Sequence, residues 1–258
     1  GSMLLFTPHV HLVYARPAEA ISLISSGYPY KSSFQCHLSA FHVNSQVLIW
    51  FLHLKTDSCS SQINKNLEQQ AQAIYVDMFV TNADTSWEAG RLSNLITVRY
   101  GKDHKKLEDG KYPVYGSGGI MRYVERPIYD KESVLIPRKG TLNNVMYVSE
   151  PFWSVDTMFY TEMKMGNIAK FVFHFVKGKD LASLNAGSAV PSMTTDILNA
   201  MVLQIPDSTT LSKFEATVAP MYITMAHSTK ENQKLALIRD TLLPHLMSGE
   251  LDVSDIDL

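Results

Sequence analysis

Two stretches of the chain repeat apolar residues every three or four positions, which is the spacing of an amphipathic helix. The shorter stretch covers residues 61–82, and the longer one, residues 208–247, keeps the spacing of a coiled-coil seam. In the longer stretch, Pro220 should kink or divide the helix, and Pro244 should mark its end. The pattern therefore predicts two long helices that pair through their apolar faces. The predicted seam positions are Ile63, Leu67, Ile74, Phe214, Val218, Met221, Met225, Asn232, Leu235 and Leu242.

The two helical stretches share a short pattern. The pattern Asn-x-x-Leu begins at Asn64 and again at Asn232. In each case the seventh and eighth residues after the Leu are apolar, Ile74 and Tyr75 in the first helix and Leu242 and Leu243 in the second. The helices therefore look like copies that bracket one domain, although two ordinary amphipathic helices can share such a pattern by chance. An Asn in an apolar seam is costly unless it meets another polar group, so each Asn is a candidate for fixing the register.

Residues 83–207, between the helices, alternate short apolar runs with turns. The runs at residues 96–100, 114–115, 120–124, 134–136 and 145–148 predict strands. Residues 168–176 have helical spacing, a second helix should start at Thr195, and residues 203–206 form a last strand. We therefore predict an α+β fold in which one mixed globular domain is flanked by long coiled-coil-forming helices. Residues 1–60 show no clear period and stay unassigned, and residues 248–258 form an acidic tail.

The overall composition is that of a globular protein, with 45% hydrophobic and 19% charged residues. A net charge of −2 argues against a uniformly basic protein that coats nucleic acid, so any such contact must be local. The two cysteines, Cys36 and Cys59, form no C-x-x-C pair, which fits a reducing compartment. They could bind zinc together with His37 and His42, but the spacing is irregular. We expect a cytoplasmic protein with no membrane contact, no metal and no cofactor.

The sequence contains no recognisable catalytic motif. The Gly-rich turn at residues 116–119 lacks the Lys-Ser/Thr ending of a phosphate-binding loop and precedes a predicted strand rather than a helix. There is no H-E-x-x-H, no G-x-S-x-G and no Asn-Pro-Pro-aromatic segment. His174 lies in an aromatic helical stretch, where a hydrogen-bonded core histidine is the better interpretation. The sequence therefore predicts no catalytic centre.

Positive charge is concentrated in one part of the chain. Ten bases and six acids lie between Arg99 and Lys139, so the local balance is +4. Such a surface can neutralise phosphates, and side chains on the same loops can reach base edges. An ordinary solvated surface explains the same composition equally well.

Four segments carry a family resemblance: KYPVYGSGGIMRYV, YDKESVLIPRKGTLNNVMYVSEPFWSVDTMFY, NAGSAVPSMTTDILNAM and ENQKLALIRDTLLPHLMSGEL. Together they resemble the DNA specificity subunit of type I restriction-modification systems. In that family a target recognition domain alternates with a helical spacer, twice per chain, and the two spacers run antiparallel. The resemblance implies double-stranded DNA and modification (methyltransferase) subunits as partners, with a restriction subunit joining through the complex. It also implies a non-catalytic chain, because methyl transfer and cleavage belong to the partner subunits.

The resemblance implies that three loops of the domain face the DNA. Gly140 would let the backbone approach the duplex closely, but the same loop residues also suit turns that only stabilise the fold. The residues implied as DNA-binding are Tyr115, Ser117, Gly118, Arg138, Lys139, Thr141, Asn143, Asn144, Gly187, Ser188 and Ser192.

The chain departs from the family pattern because it has one recognition domain instead of two. It therefore resembles a half-length or truncated subunit. Two copies could pair through their spacer helices as a homodimer and read an inverted repeat. Alternatively, the chain is an assembly scaffold that does not bind DNA, or an inactive remnant. A nucleotide-binding enzyme is a third hypothesis, disfavoured by the missing phosphate loop.

Overall fold

The computed structural model describes residues 45–184 and 191–250, and of residues 45–59 and 246 it describes only the backbone. Within these ranges an α+β domain lies between two long helices, which confirms the predicted fold class. None of the helices in these ranges combines the length and the apolar character needed to cross a membrane. The side chains of the possible zinc ligands lie outside the described residues, as does most of the acidic tail.

The first long helix, α1, spans Ser45–Val76 and continues as a π-helical turn at Asp77–Thr81. Asn82 ends it, because its side chain and its backbone N–H both donate to Asp77 at 2.9 Å. The helix begins well before the predicted residue 61, so that boundary is wrong. Residues 47–52 are apolar without interruption, and such a run has no helical period for sequence reasoning to detect.

The domain that follows, called the central domain below, consists of short strands and three short helices. In chain order they are β1 (Glu88–Arg91), α2 (Leu92–Leu95), β2 (Ile96–Tyr100), β3 (Asp109–Gly116), β4 (Gly119–Val124), β5 (Ser133–Pro137), β6 (Met146–Val148), β7 (Trp153–Ser154), β8 (Met158–Met163), α3 (Ala169–Lys177), α4 (Thr195–Ala200) and β9 (Val202–Ile205). The six predicted strands correspond to β2, β3, β4, β5, β6 and β9. Sequence reasoning missed β1, β7 and β8.

Three sheets organise the central domain in the described residues. The largest has the order β2-β8-β5-β6, with antiparallel neighbours throughout. A second has the order β4-β3-β7, and β1 pairs with β9 to form the third. The β1–β9 pair joins the entrance of the domain to its exit, so the two long helices emerge side by side.

Strand β5 explains why the domain has two cores. All five of its residues are buried, and alternate side chains point to opposite faces. Val134 and Ile136 face a core that includes α3 and the long helices. Leu135 faces a second core with the three-stranded sheet, around Phe152. A continuous apolar run such as residues 134–136 therefore marks a strand covered on both sides.

The last helix, α5, spans Ser208–Ser248. Asp207 caps it, since one carboxylate oxygen accepts from the backbone N–H groups of Thr209 and Thr210 at 2.9 Å. The helix runs without a break through Pro220, so the predicted division is absent. Both Pro220 and Ala216, the residue whose carbonyl loses its usual donor, are exposed, so water can satisfy that carbonyl.

Helices α1 and α5 lie side by side in opposite directions and are called the helix pair below. The Phe79 ring, just past α1, lies 5.1 Å from that of Phe214. Farther from the central domain, the Asn64 amide donates to Thr229 Oγ1 at 3.2 Å and to the carbonyl of Met225 at 3.5 Å. Asn64 thus meets polar groups of the other helix, as a register-fixing residue requires.

Burial along the helix pair differs from the predicted seam in two respects. Phe214 and Val218 are fully buried, whereas Ile63 and Leu242 are 47% and 42% exposed. The other predicted seam residues are half-buried: Leu67, Ile74, Met221, Met225, Asn232 and Leu235. Among the residues of α1 and its extension whose side chains the structure describes, those buried are Ala71, Tyr75 and Phe79, one position beyond the predicted face. The buried face of the helix is centred on Tyr75 and Phe79, because these aromatic side chains bury more surface than Ile74 and Met78 do.

Candidate nucleic-acid interface

The 138–144 loop lies against the 116–119 turn at one end of the central domain. The Asn144 side chain donates to the carbonyl of Ser117 at 2.7 Å. The loop turns at Gly140, whose φ of +87° favours glycine. A Cβ there would also lie 3.2 Å from Ser117 Oγ. Gly140 therefore allows the two loops to approach each other closely.

Residues 191–193 join the same end. Gly140 N–H donates to the carbonyl of Pro191 at 3.3 Å, and Met193 N–H donates to the carbonyl of Arg138 at 2.9 Å. Lys139 and Ser192 form an isolated antiparallel bridge. The structure thus places the described parts of all three predicted loops side by side. Gly187 and Ser188 lie outside the described residues.

Two further segments complete this surface. The backbone N–H groups of Arg138 and Lys139 donate to the carbonyl of Thr157, at 2.9 and 3.2 Å. Lys102 N–H donates to the carbonyl of Ser154 at 2.8 Å. A Cβ at Gly101 would lie 2.0 Å from the carbonyl oxygen of Val155, so only glycine fits where these segments meet. We call this surface the loop end, and it comprises residues 100–102, 116–119, 138–144, 155–157 and 191–193.

Several of the predicted DNA-binding side chains already have partners within the protein. Asn143 donates to Asp180 Oδ1 at 3.1 Å and accepts from the backbone N–H of Ala182 at 3.0 Å. The ring of Tyr115 packs against Phe152, and burial raises the pKa of its hydroxyl to about 12. These contacts give Asn143 and Tyr115, like Asn144, a role in holding the loops in place.

Other predicted residues are open to solvent. Gly118, Lys139 and Thr141 are exposed. A Cβ at Gly118 would meet no atom within 4 Å, so a partner has room to approach its backbone. Within the described residues, the Lys139 ammonium forms neither an ion pair nor a hydrogen bond. Its charge is therefore available to an anion.

Sequence reasoning missed the aromatic residue of the loop end, Tyr100. Its side chain is 52% exposed, and the Arg138 guanidinium lies 5.4 Å from its ring centre. Arg138 also donates to the carbonyl of Asp156 at 3.0 Å. These two contacts hold the guanidinium in place while several of its five N–H donors remain for another partner. The signal in the sequence was an aromatic residue at a strand end, immediately before Gly101 and Lys102.

The ten cations between Arg99 and Lys139 differ in how they are neutralised. Ion pairs join Arg99 to Glu162, Arg122 to Asp109 and Arg126 to Glu125, at 3.1, 3.0 and 3.9 Å. Six lysines are exposed and form no ion pair within the described residues: Lys102, Lys105, Lys106, Lys111, Lys131 and Lys139. The excess positive charge is therefore carried by these six lysines and by Arg138, which forms no ion pair within the described residues. Two of the lysines, Lys102 and Lys139, belong to the loop end.

In the part of the chain that the structure describes, no group of three or more His, Cys, Asp or Glu side chains has the geometry to hold a metal ion. His174 is a hydrogen-bonded core residue, as predicted. It is fully buried, and both ring nitrogens have partners, Gln72 at 2.7 Å and the Tyr222 hydroxyl at 2.9 Å.

Residues 85–218, just over half of the chain, match the family model of the type I restriction modification DNA specificity domain. The chain belongs to this family. The matched segment includes the whole loop end and the first turns of α5, which confirms the resemblance found in the sequence.

Curated relatives of this family align with the chain at low identity. The specificity subunit of the type I restriction enzyme EcoprrI from Escherichia coli is 28% identical over 103 residues, which are 40% of this chain and 26% of that protein. The specificity subunit of the type I restriction enzyme MjaIX from Methanocaldococcus jannaschii is 22% identical over 210 residues, covering 71% of this chain and 48% of that protein. The chain thus spans at most about half the length of either relative.

The fold also matches a solved structure of the family, the S subunit of a type I restriction-modification system from M. genitalium. The TM-score is 0.59 at 20% identity, and the match covers 79% of this chain and 59% of that chain. The arrangement of a mixed domain with long helices is therefore a known specificity-subunit fold.

Proposed function

We propose that this chain is a sequence-specific DNA-binding part of a type I specificity subunit, which reads one half-site through the loop end. The observation that carries this proposal is the convergence of loops that lie far apart in the sequence. The 116–119, 138–144 and 191–193 segments meet through hydrogen bonds, and exposed cations and a stacked arginine surround the meeting point. Loops held together by hydrogen bonds, with exposed cationic side chains, suit a binding site on a scaffold.

The electrostatics of the loop end favour contact with the DNA backbone. Lys102 and Lys139 supply charge that no described carboxylate neutralises, so each can replace a counterion at a phosphate. Arg138 supplies a fixed guanidinium, the group that binds guanine edges most often in the major groove. Phosphate contacts would orient the domain, and Arg138 would read a base.

The helix pair is the proposed docking surface for modification subunits. The family provides this part of the proposal, because its members assemble with subunits that carry out methylation. The modification subunits would supply methyl transfer, and a restriction subunit would join through the same complex. The chain itself would have no catalytic role. Two copies could also pair through their helices, which would place two loop ends on an inverted repeat.

A second candidate is an assembly scaffold or inactive remnant that has lost DNA affinity. The observation that favours it is the internal use of polar loop side chains. Asn143 and Asn144, which could have read bases, both bond within the protein. In this case the loop end would be a stable surface without a ligand.

Selection from a random duplex library, with the modification subunits present, tests the proposal directly. Enrichment of one motif would support a DNA-reading module, and an inverted repeat with a fixed gap would identify a homodimer. Binding to the enriched duplex should weaken steeply as salt increases, because bound phosphates release counterions. Absence of enrichment, together with weak binding that salt does not change, would refute DNA recognition and favour the scaffold.

A further inference from the structure

Every residue of helix α3 from Ala169 to Val176 is buried, including the polar residues Lys170 and His174, and a third polar residue, Lys177, follows at the exposed end of the helix. Lys170, His174 and Lys177 follow one another at four and three positions, so they form a stripe along one face of the helix. A polar stripe in an apolar core is costly unless each group finds a partner. All three find partners on the helix pair.

Lys170 is the most buried charge of the stripe, with 5% of its side chain exposed. Its ammonium lies 2.6 Å from Glu215 of α5 and 3.2 Å from Glu132, which precedes β5. The rings of Tyr147 and Tyr222 lie 5.1 and 5.7 Å from the same ammonium. One cation thus joins the central domain to α5.

His174 joins α3 to both long helices at once. The Gln72 carbonyl oxygen on α1 accepts from Nδ1, and the Tyr222 hydroxyl on α5 donates to Nε2. Burial holds the pKa of the imidazole at about 4, so the ring is neutral and has one donor and one acceptor. That state matches the two partners, because a neutral ring can use each nitrogen in only one role.

Lys177 ends the stripe with an ion pair to Glu68 of α1. The pair is partly exposed, with 38% of the lysine and 34% of the glutamate side chain open to solvent. Along α3 the partners therefore change in order, from α5 at Lys170, to both helices at His174, to α1 at Lys177.

The apolar contacts around the stripe fix the position of α3 on the helix pair less strictly than the polar contacts do. Phe171 and Phe214 contribute large surfaces to this core, but burial of apolar surface is non-directional and tolerates small sliding movements. A hydrogen bond fails once donor and acceptor separate or lose alignment. Sliding α3 by one turn would leave Lys170 and His174 buried without partners, and that state is strongly disfavoured.

We infer that Lys170, His174 and Lys177 are positioning residues that fix the orientation of the central domain on the helix pair. The inference goes beyond DNA binding, since a scaffold would also need a fixed domain. In a DNA-reading subunit, the same three residues would set the direction in which the loop end faces the duplex.

The experiment measures distances between spin labels in the full chain, without DNA. Labels at Lys106→Cys in the central domain and Lys234→Cys on α5 are both at exposed positions. Cys36→Ser and Cys59→Ser remove competing thiols. The test variant combines Gln72→Leu, His174→Phe and Tyr222→Phe, which replaces the polar groups with apolar groups of similar size. A second variant carries only Tyr222→Phe and removes one hydroxyl.

The parent protein should give one narrow distance distribution. The triple variant should lose it and give a broad or shifted distribution, while circular dichroism still shows a folded protein. Lys177→Glu should broaden the distribution by repelling Glu68, and adding Glu68→Lys should restore it. An unchanged distribution in the folded triple variant and in Lys177→Glu would overturn the inference. If the triple variant does not fold, Tyr222→Phe and the charge-exchange pair decide the outcome. None of these measurements depends on whether the chain binds DNA.

Discussion

Lysine is used in opposite ways in two regions of this molecule. At the junction of α3 with the helix pair, Lys170 is almost completely buried between two carboxylates. At the loop end, Lys139 is exposed and has no carboxylate partner among the described residues. Buried charges must be paired, because desolvation is otherwise too costly. Exposed charges can stay unpaired, because water and salt screen them.

The comparison separates stability from binding. Residues at the junction have their partners within the chain, so substitutions there should change folding and domain orientation. Residues such as Lys139 have none within the described residues, so substitutions there should change only an interaction with another molecule. Substitutions in the two regions test this separation, and their expected effects on stability range from several kcal/mol to almost none.

The largest effect is expected from Phe214→Ala. Phe214 is fully buried and contacts the rings of Phe79 and His174 at 5.1 and 6.0 Å. Removing it leaves a cavity between the helix pair and α3, so we expect a loss of about 3–5 kcal/mol in the free energy of unfolding. Urea denaturation measures the change. Leu237→Ala on the same helix is the control, since Leu237 is 69% exposed and its loss should cost less than about 0.5 kcal/mol. Equal effects of the two substitutions would contradict the burial at the junction.

The second prediction concerns pH. The pKa of His174 falls from 6.5 to about 4 because the ring is buried. Between these values the unfolded chain binds a proton that the folded protein does not, so stability decreases as pH falls. The full decrease is about 3 kcal/mol and is complete below pH 4.

Denaturation at pH 7, 5.5 and 4 tests this prediction, with His174→Gln as the comparison. The variant should lose less stability over the same range because it has no imidazole at this position. The carboxylate of Asp207 contributes to the pH dependence of stability in a different, lower pH range. Hydrogen bonds from Thr210 lower its pKa to about 2, so its contribution is present above pH 3.8 and disappears as pH falls toward 2. Parallel pH profiles for the parent protein and His174→Gln would show that the ring is not buried in its neutral form.

The two regions also differ in how far the sequence predicted them. The spacing of apolar residues predicted α5 and the strands β2 and β5, because that spacing reflects whether one or two faces of an element are buried. It did not predict the start of α1, where a continuous apolar run has no period. It also placed the buried face of α1 one position away, because Tyr75 is as important to the core as an aliphatic residue.

At the loop end, the sequence identified the exposed Lys139 but not the function of its neighbours. Asn143 and Asn144 are residue types that read bases, yet here they hold loops together. Their partners, Asp180 and Ser117, are distant in the sequence, so no local pattern reveals the contact. The Tyr100–Arg138 stack was missed for the same reason. Of the stripe on α3, the sequence pointed only to His174, because the four partners on the helix pair become visible only in the tertiary structure: Glu68, Gln72, Glu215 and Tyr222.

A smaller effect on stability is expected from Asn143→Ala. The substitution removes the hydrogen bonds with Asp180 and with the backbone of Ala182, so we expect a cost of about 1 kcal/mol. The 138–144 loop should also become more mobile, and trypsin should cleave faster after Lys139. Thr141→Ala is a matched control in the same loop, because Thr141 is exposed. If both variants are as stable and as resistant to trypsin as the parent, the hydrogen bonds of Asn143 do not hold the loop.

The smallest effect on stability is expected from Lys139→Ala, and this substitution separates the two regions most clearly. Because the side chain is exposed and has no ion pair within the described residues, the free energy of unfolding should change by less than about 0.5 kcal/mol. If the ammonium contacts a phosphate, affinity for the selected duplex should weaken. The slope of log K against log salt should then become shallower by about 1. Lys234→Ala on α5 is the control, since it removes the same charge from an exposed position outside the loop end. Fluorescence anisotropy across a salt series measures both slopes. Equal slopes for the two variants and the parent would remove Lys139 from the DNA contact. A shallower slope for Lys139→Ala alone would show that the charge of Lys139 contributes to DNA binding, in contrast to the charge of Lys170, which contributes to the fold.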